Sequence, residues 1–286
     1  MQAGYFSTVW QDIKNSPGWF GRLLLLALLS FIPVFGIIVV YGYLLAWSRD
    51  IAWGVHGPLP AHIFGNEDGK LYSRGFFAWL IRLVIGVLLV LLLVVINFAW
   101  VLGVGGLSAF VQSGPSMNIF SGLISMFAML IMFGVGVTLL ALALVFAWIG
   151  WMRMAIYGRL SAGFQFGKIW AMFRHDAGGM MRIFGMSLLF SVIAGIVGMV
   201  IVIMLVVGFA LIGAFAVGTS GHVSSGMVML LLLSMMLGAG IFSYAGVVVS
   251  VFNMMLVTRA LGYWTRQFDV AQWRGQDDPM PFELAG

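Results

Sequence analysis

Four positions set what chemistry the apolar parts of this chain can hold: Pro33, Gly36, Asn97 and Asn253. Pro33 lacks a backbone donor and disfavours helix at Ile32, while Gly36 permits a sharp turn. The stretch "FIPVFGIIVVYGYLLAWSRD" (31–50) can therefore leave carbonyl and N–H groups unpaired inside an apolar medium. Such groups bind ions or the polar part of a solute without charged side chains. Asn97 and Asn253 are the notable polar side chains of the deep apolar runs. An amide buried in lipid needs partners, so both are expected to face other helices, tying them together or hydrogen-bonding a solute.

A second set of residues suits an interface. In "FGKIWAMFRHD", Phe166, Ile169, Trp170 and Phe173 recur at helical spacing, with Lys168 off that stripe and Arg174 following it. This is an amphipathic helix with an aromatic face and a basic edge, and Arg182 follows one segment later. Lys168, Trp170, Arg174 and Arg182 are candidates to meet anionic lipid headgroups; the plainer reading makes such helices connectors covering the base of a bundle. Phe6, Val9, Trp10 and Ile13 repeat the spacing near the N-terminus, and "WTRQFDVAQW" (264–273) is a weaker third case.

Other chemistry is missing. There is no cysteine, so thiol catalysis, thiolate metal sites and disulfides are excluded. His56, His62, His175 and His222 are scattered; the first two share a loop with Glu67 and Asp68, at no spacing typical of a metal site. No phosphate-binding glycine loop and no nucleophile–base pair is present. Catalytic residues, metal, cofactor and nucleic-acid partner are all expected to be absent, and an enzyme is the least favoured class. The uncharged runs hold no Asp, Glu, Lys, Arg or His except His222, which argues against a proton-driven pump.

The elements that position these residues follow from charge placement. Of 286 residues, 62% are hydrophobic and 8% charged, against about a quarter charged in soluble domains. The 23 charged residues fall into four clusters, leaving uncharged runs at 23–48, 83–152 and 183–258. A membrane span needs about 20 residues, so the two long runs each suit two spans. Two spans keep the basic flanks on one side, with uncharged turns at 105–118 and 218–226 opposite. The positive-inside rule then makes the flanks and C-terminus cytoplasmic. The excess length implies long, tilted helices or packed outer turns. Trp79, Trp148, Trp151, Tyr157, Tyr263 and Trp264 border the basic clusters, where interfacial rings are expected.

In the first run, residues 23–32 and 37–47 each give an arm of about 15 Å as helix, half a bilayer. A re-entrant hairpin keeps Arg22 and Arg49 on one side; a kinked fifth span separates them. The charge rule favours the hairpin, provided protein covers its turn. No cleavable signal peptide is expected.

Two blocks carry a family resemblance: "IPVFGIIVVYGYLLAWSRD" (32–50) and "YGRLSAGFQFGKIWAMFRHDAGGMMRIF" (157–184). They resemble the prokaryotic membrane-protein family catalogued as domain of unknown function 4013, over most of residues 19–264. The linker "GPLPAHIFGNEDGK" keeps Leu59 and Pro60 but lacks the family's tryptophan. The resemblance implies a membrane fold and no activity.

The expected protein is all-α and polytopic, with four full transmembrane helices in two hairpins. A broken or re-entrant N-terminal segment (or fifth span) and cytoplasmic amphipathic helices complete it. Residues 1–18 form an amphipathic helix, 19–264 one membrane domain and 265–286 a partly disordered tail. The expected role, in the cytoplasmic (inner) membrane, is to organise lipid or a membrane-protein partner. The alternative is a permease or channel for a small or amphipathic solute, with its site near Pro33–Gly36.

Overall fold

In lipid, each backbone polar group must be bonded within its own segment, and helices meet that demand. The computed structural model describes residues 4–65, 68–111, 117–220 and 225–269, and among these there are helices and no strand. They are α1 (Tyr5–Lys14), α2 (Trp19–Leu29), α3 (Phe35–Ala52), α4 (Leu71–Val111), α5 (Met117–Tyr157), α6 (Phe166–His175), α7 (Ala177–Ser220) and α8 (Ser225–Arg266). A short 3-10 helix, Leu160–Phe164, links α5 to α6. Gly158, at φ 67°, ends α5 in the left-handed conformation that glycine adopts without a steric penalty. Asp176 separates α6 from α7, and its carboxylate caps α7 by accepting the Gly179 N–H at 2.8 Å.

α4 packs on α5 and α7 on α8, the two hairpins expected from the charge pattern. Five helices contain stretches long and apolar enough to cross a membrane: α3 over its whole length, and Leu71–Gly103, Ser125–Tyr157, Ala177–Ala214 and Val228–Arg266 of the other four. The four hairpin helices have 41 to 44 residues, about 60 Å each, twice the hydrocarbon thickness. Helix continues through most of the two stretches expected as outer turns; residues 112–116 and 221–224 lie outside the described residues.

The surplus length builds a base. Buried residues concentrate in α1, α2, α3, the first turns of α4 and α7, the last turns of α5 and α8, and α6. Beyond the base the hairpin helices are exposed, as at Leu88, Val95, Met129, Phe133, Met199, Met204, Leu230 and Met236.

Two buried arginines, Arg153 and Arg259, stand at the base ends of α5 and α8, each 1% exposed. Arg259 donates to Asp12 (2.8 Å), the Trp47 carbonyl (2.7 Å) and the Gly57 carbonyl (3.2 Å), and stacks on the Trp47 ring at 4.1 Å. Arg153 donates to the Ala162 carbonyl (3.2 Å) and the Gln165 side chain. These cations hold the base together.

α2 and α3 form an antiparallel hairpin. At its tip, a Cβ on Gly36 would lie 1.7 Å from the Leu29 carbonyl oxygen. At its open end, the linker after α3 folds back on both helices. Tyr43 donates to the Pro60 carbonyl (2.6 Å), Arg22 to the Leu59 carbonyl (2.6 Å), and the Leu59 N–H to Ser16 Oγ (2.8 Å). Arg22 and Arg49 therefore lie towards the same end of the molecule.

Several expectations change. Trp148, Trp151 and Trp264 are 7%, 4% and 1% exposed, packed in the base rather than spread on an interface. "WTRQFDVAQW" is not a separate helix up to Asp269: α8 runs through Arg266, and Phe268 is buried against Trp264. Residues 270–286, most of the expected 265–286 tail, lie outside the described residues, while 265–269 continue from α8.

Candidate functional site

The tip of the α2–α3 hairpin is strained. Val34 sits at φ 62°, ψ −59°, and the Phe35 N–H donates to the Pro33 carbonyl at 2.6 Å. This is a γ-turn of the uncommon, strained hand, centred on a β-branched residue. Proline and glycine bracket the turn as expected, but the positive φ falls on Val34. Gly36 serves another need, close approach to α2.

Next to this tip lies a cavity of about 430 Å³ where the two hairpins diverge. Ser30 and Tyr41 reach it from α2–α3, Arg82 from α4, Ser187 and Ser191 from α7, and Ser250 and Asn253 from α8. Trp148 and Trp151 form part of its apolar wall. Asn253 donates to Ser187 Oγ (3.1 Å) and Ser191 Oγ (3.2 Å), tying α8 to α7 as its type suggested. Its Oδ1 is buried and has no hydrogen-bond partner among the described residues, leaving an acceptor unused.

Arg82 and Tyr41 mark the opposite side of the cavity. Arg82 is exposed and donates to the hydroxyl of Tyr41, which is 2% exposed. No carboxylate lies within ion-pair distance of Arg82 among the described residues. Its guanidinium keeps further N–H donors, and the Tyr41 proton is free to donate elsewhere. The same two side chains also line a groove of about 570 Å³ on the outer face of α4. The arrangement offers donors at one edge, an acceptor within and apolar walls, which suits an amphiphile bearing negative charge.

Of the residues singled out from sequence, Asn253 lines the cavity, while Pro33 and Gly36 shape the neighbouring turn. Asn97 is exposed and lies outside the cavity; it does not face the bundle as expected. Apolar periodicity is too weak along α4, hydrophobic all round, to orient one amide. The basic set belongs to a different region. Trp170 is 45% exposed and stacks on Phe146 and Phe173; Arg174 and Arg182 are exposed, and Lys168 is half-buried. Arg82, Tyr41 and the serines were missed. Arg82 had one usable signal: it is the last charge before a 70-residue uncharged run.

A separate charge cluster fastens the linker. Asp68 accepts from Arg49 at 2.7 Å and from Arg74, which is 4% exposed. Burial pushes its carboxyl upward, but the Arg49 hydrogen bond, the Arg74 charge and the Lys70 N–H outweigh this and hold it at about 2. Among the described residues, no group of three or more His, Asp or Glu side chains is placed to hold a metal ion.

Residues 25–207, more than half of the chain, match the family described as protein of unknown function (DUF4013). The match begins within α2 and ends within α7, taking in the α2–α3 hairpin, α4, α5 and α6. No curated protein and no solved structure matches the chain.

Proposed function

The chain belongs to the DUF4013 family, and from that premise we propose that it is a non-enzymatic membrane protein that organises lipid around its two hairpins. The observation that carries this reading is the distribution of packing. Polar and charged contacts gather in the base, whereas the hairpin helices present exposed Leu, Val, Met and Phe over most of their length. In a membrane, those surfaces are solvated by acyl chains, and the fork between the hairpins meets the headgroup region. The basic clusters and the C-terminus lie on the cytoplasmic side of the inner membrane, in keeping with the charge rule. The α2–α3 hairpin is re-entrant in this reading; its tip residues, Phe31 to Phe35, are exposed, and the tip's own backbone bonds (Ile32 N–H to Leu29, Phe35 N–H to Pro33 and Gly36 N–H to Ile32) supply the pairing that lipid cannot. α6, with Lys168, Trp170 and Arg174, and the nearby Arg182 rest on anionic headgroups. A membrane-protein partner would bind the same exposed hairpins.

The test is extraction of the protein from its native membrane in copolymer discs, followed by lipid analysis. Anionic lipid should be enriched at least about twofold over the bulk membrane. A composition equal to bulk, with no co-extracted partner, would sink the reading.

A permease or channel for a small or amphipathic solute is the second reading. It is favoured by one observation, the cavity beside the Pro33–Gly36 turn with the unused Asn253 Oδ1. Solute flux into proteoliposomes, abolished by blocking that cavity, would put this reading first.

A further inference from the structure

We propose that Arg82 and Tyr41 hold the anionic headgroup of a membrane phospholipid whose acyl chain lies in the groove along α4. The proposal rests on the lipid-organising reading and names the lipid's place. Its first support is the pair itself. Tyr41 is 2% exposed, and its hydroxyl oxygen accepts from Arg82. Its proton has no acceptor among the described residues, and neither does Arg82 have a carboxylate. A phosphodiester oxygen supplies what both lack, accepting charge-assisted hydrogen bonds from the guanidinium and a third from the phenol.

The second support is the groove. It is about 570 Å³ and runs from Arg82 and Tyr41 over Ile37, Leu83, Gly86, Val87, Val90 and Leu91. Leu83 to Leu91 covers about 12 Å along the helix, the upper half of an acyl chain within one leaflet. Gly86 leaves the floor open: a Cβ there would have nothing within 4 Å. A free phosphate would fill only the charged end and leave this wall uncovered, so the occupant is a lipid.

The third support is on the inner side of the pair. Arg82 and Tyr41 also line the cavity that contains Asn253, whose buried Oδ1 has no donor among the described residues. A headgroup carrying a hydroxyl or an amine beyond its phosphate satisfies that acceptor. Phosphatidylglycerol combines the anion, the hydroxyls and the chains.

Native mass spectrometry of the full-length protein tests this, with palmitoyl-oleoyl-phosphatidylglycerol and its phosphatidylcholine counterpart as probes. The wild type should retain one phosphatidylglycerol about tenfold more tightly than phosphatidylcholine. Arg82→Gln should abolish that preference, Tyr41→Phe should weaken it about fivefold, and Lys14→Gln, which removes an equal charge from α1, should leave it unchanged. Tyr41→Phe removes one hydroxyl and keeps the ring, so it decides the matter even if Arg82→Gln does not fold. Wild-type preference in both variants would overturn the site, as would displacement of the lipid by millimolar inorganic phosphate. If the variants keep the preference while native discs stay enriched in anionic lipid, the site fails and the lipid-organising reading stands. If the wild type shows neither preference nor enrichment, both fail.

Discussion

A methyl group on residue 42 would lie 2.1 Å from the Leu71 carbonyl oxygen. At residue 75 it would lie 1.8 Å from the Ile38 oxygen, and at residue 262, 2.4 Å from the Ser48 oxygen. These glycines set how closely α3 approaches α4 and α8. Small residues at four-residue spacing occur elsewhere, at Gly134/Thr138, Ala194/Gly198, Ala239/Ser243 and Gly246/Ser250. Yet a Cβ on Gly134 or Gly246 would have nothing within 4 Å, and Thr138 and Ser250 simply bond their own helix. Spacing alone does not reveal which face of an all-apolar helix finds a neighbour. Gly42→Ala should therefore lower stability by about 1–3 kcal/mol in detergent unfolding, while Gly134→Ala should be neutral or slightly stabilising. Equal effects at the two positions would remove the packing argument. Val34 invites the opposite experiment. Its left-handed backbone costs of order 1–3 kcal/mol, so Val34→Gly should stabilise the protein by about 1 kcal/mol after the entropy of the freer unfolded chain is counted. A clear loss of stability would show that the side chain matters more than the strain.

Among the elements, α1, the α2–α3 hairpin and α8 are joined through Arg259. Its sequence position marked it as a cytoplasmic charge, one of a basic cluster; only the fold shows it buried between an aspartate, two carbonyls and an indole. Replacing it with Gln leaves Asp12 without its cation and two carbonyls without good donors. Arg259→Gln should cost about 3–5 kcal/mol and expose α1 to limited proteolysis first. An intact, protease-resistant α1 in that variant would contradict the clamp. The linker behaves differently because its anion is half-open to solvent. Asp68 titrates at about 2, below the ordinary carboxylate range near 4. A carboxyl lowered on folding adds stability that is complete above its unfolded pKa and disappears as pH falls through its folded one. The melting temperature should thus be insensitive to this group from neutral pH to about 4 and should fall between about 4 and 2. Asp68→Asn should flatten that acid limb, a difference that a pH series of thermal melts would reveal.

At the scale of the whole molecule, the hairpins, the short helices α1 and α6 and the break between α2 and α3 were legible because each rests on charge exclusion, helical periodicity or a proline. The candidate cavity was legible only in part. Asn253 stood out as a lone amide in an apolar run, and Pro33 and Gly36 as a break. Tyr41, Ser30, Ser187, Ser191 and Ser250 are unremarkable in sequence and come together only because α2 and α3 pack beside the place where α4–α5 and α7–α8 separate. The base was illegible for a related reason. The excess length of the apolar runs was visible, but whether it formed tilt, outer turn or packed base depends on contacts between residues as distant as Asp12 and Arg259. In the proposed orientation this base, with both ends of the α2–α3 hairpin, lies on the cytoplasmic side while the far ends of the four long helices reach the opposite face. Single cysteines at Ser7 and Ser220 of this cysteine-free chain, probed in intact cells with a membrane-impermeant maleimide, test it directly. Ser220→Cys should label from outside and Ser7→Cys only after lysis. Labelling of both from outside would make the first segment a true span, contradict the re-entrant hairpin and remove the base from the side on which the lipid site has been built.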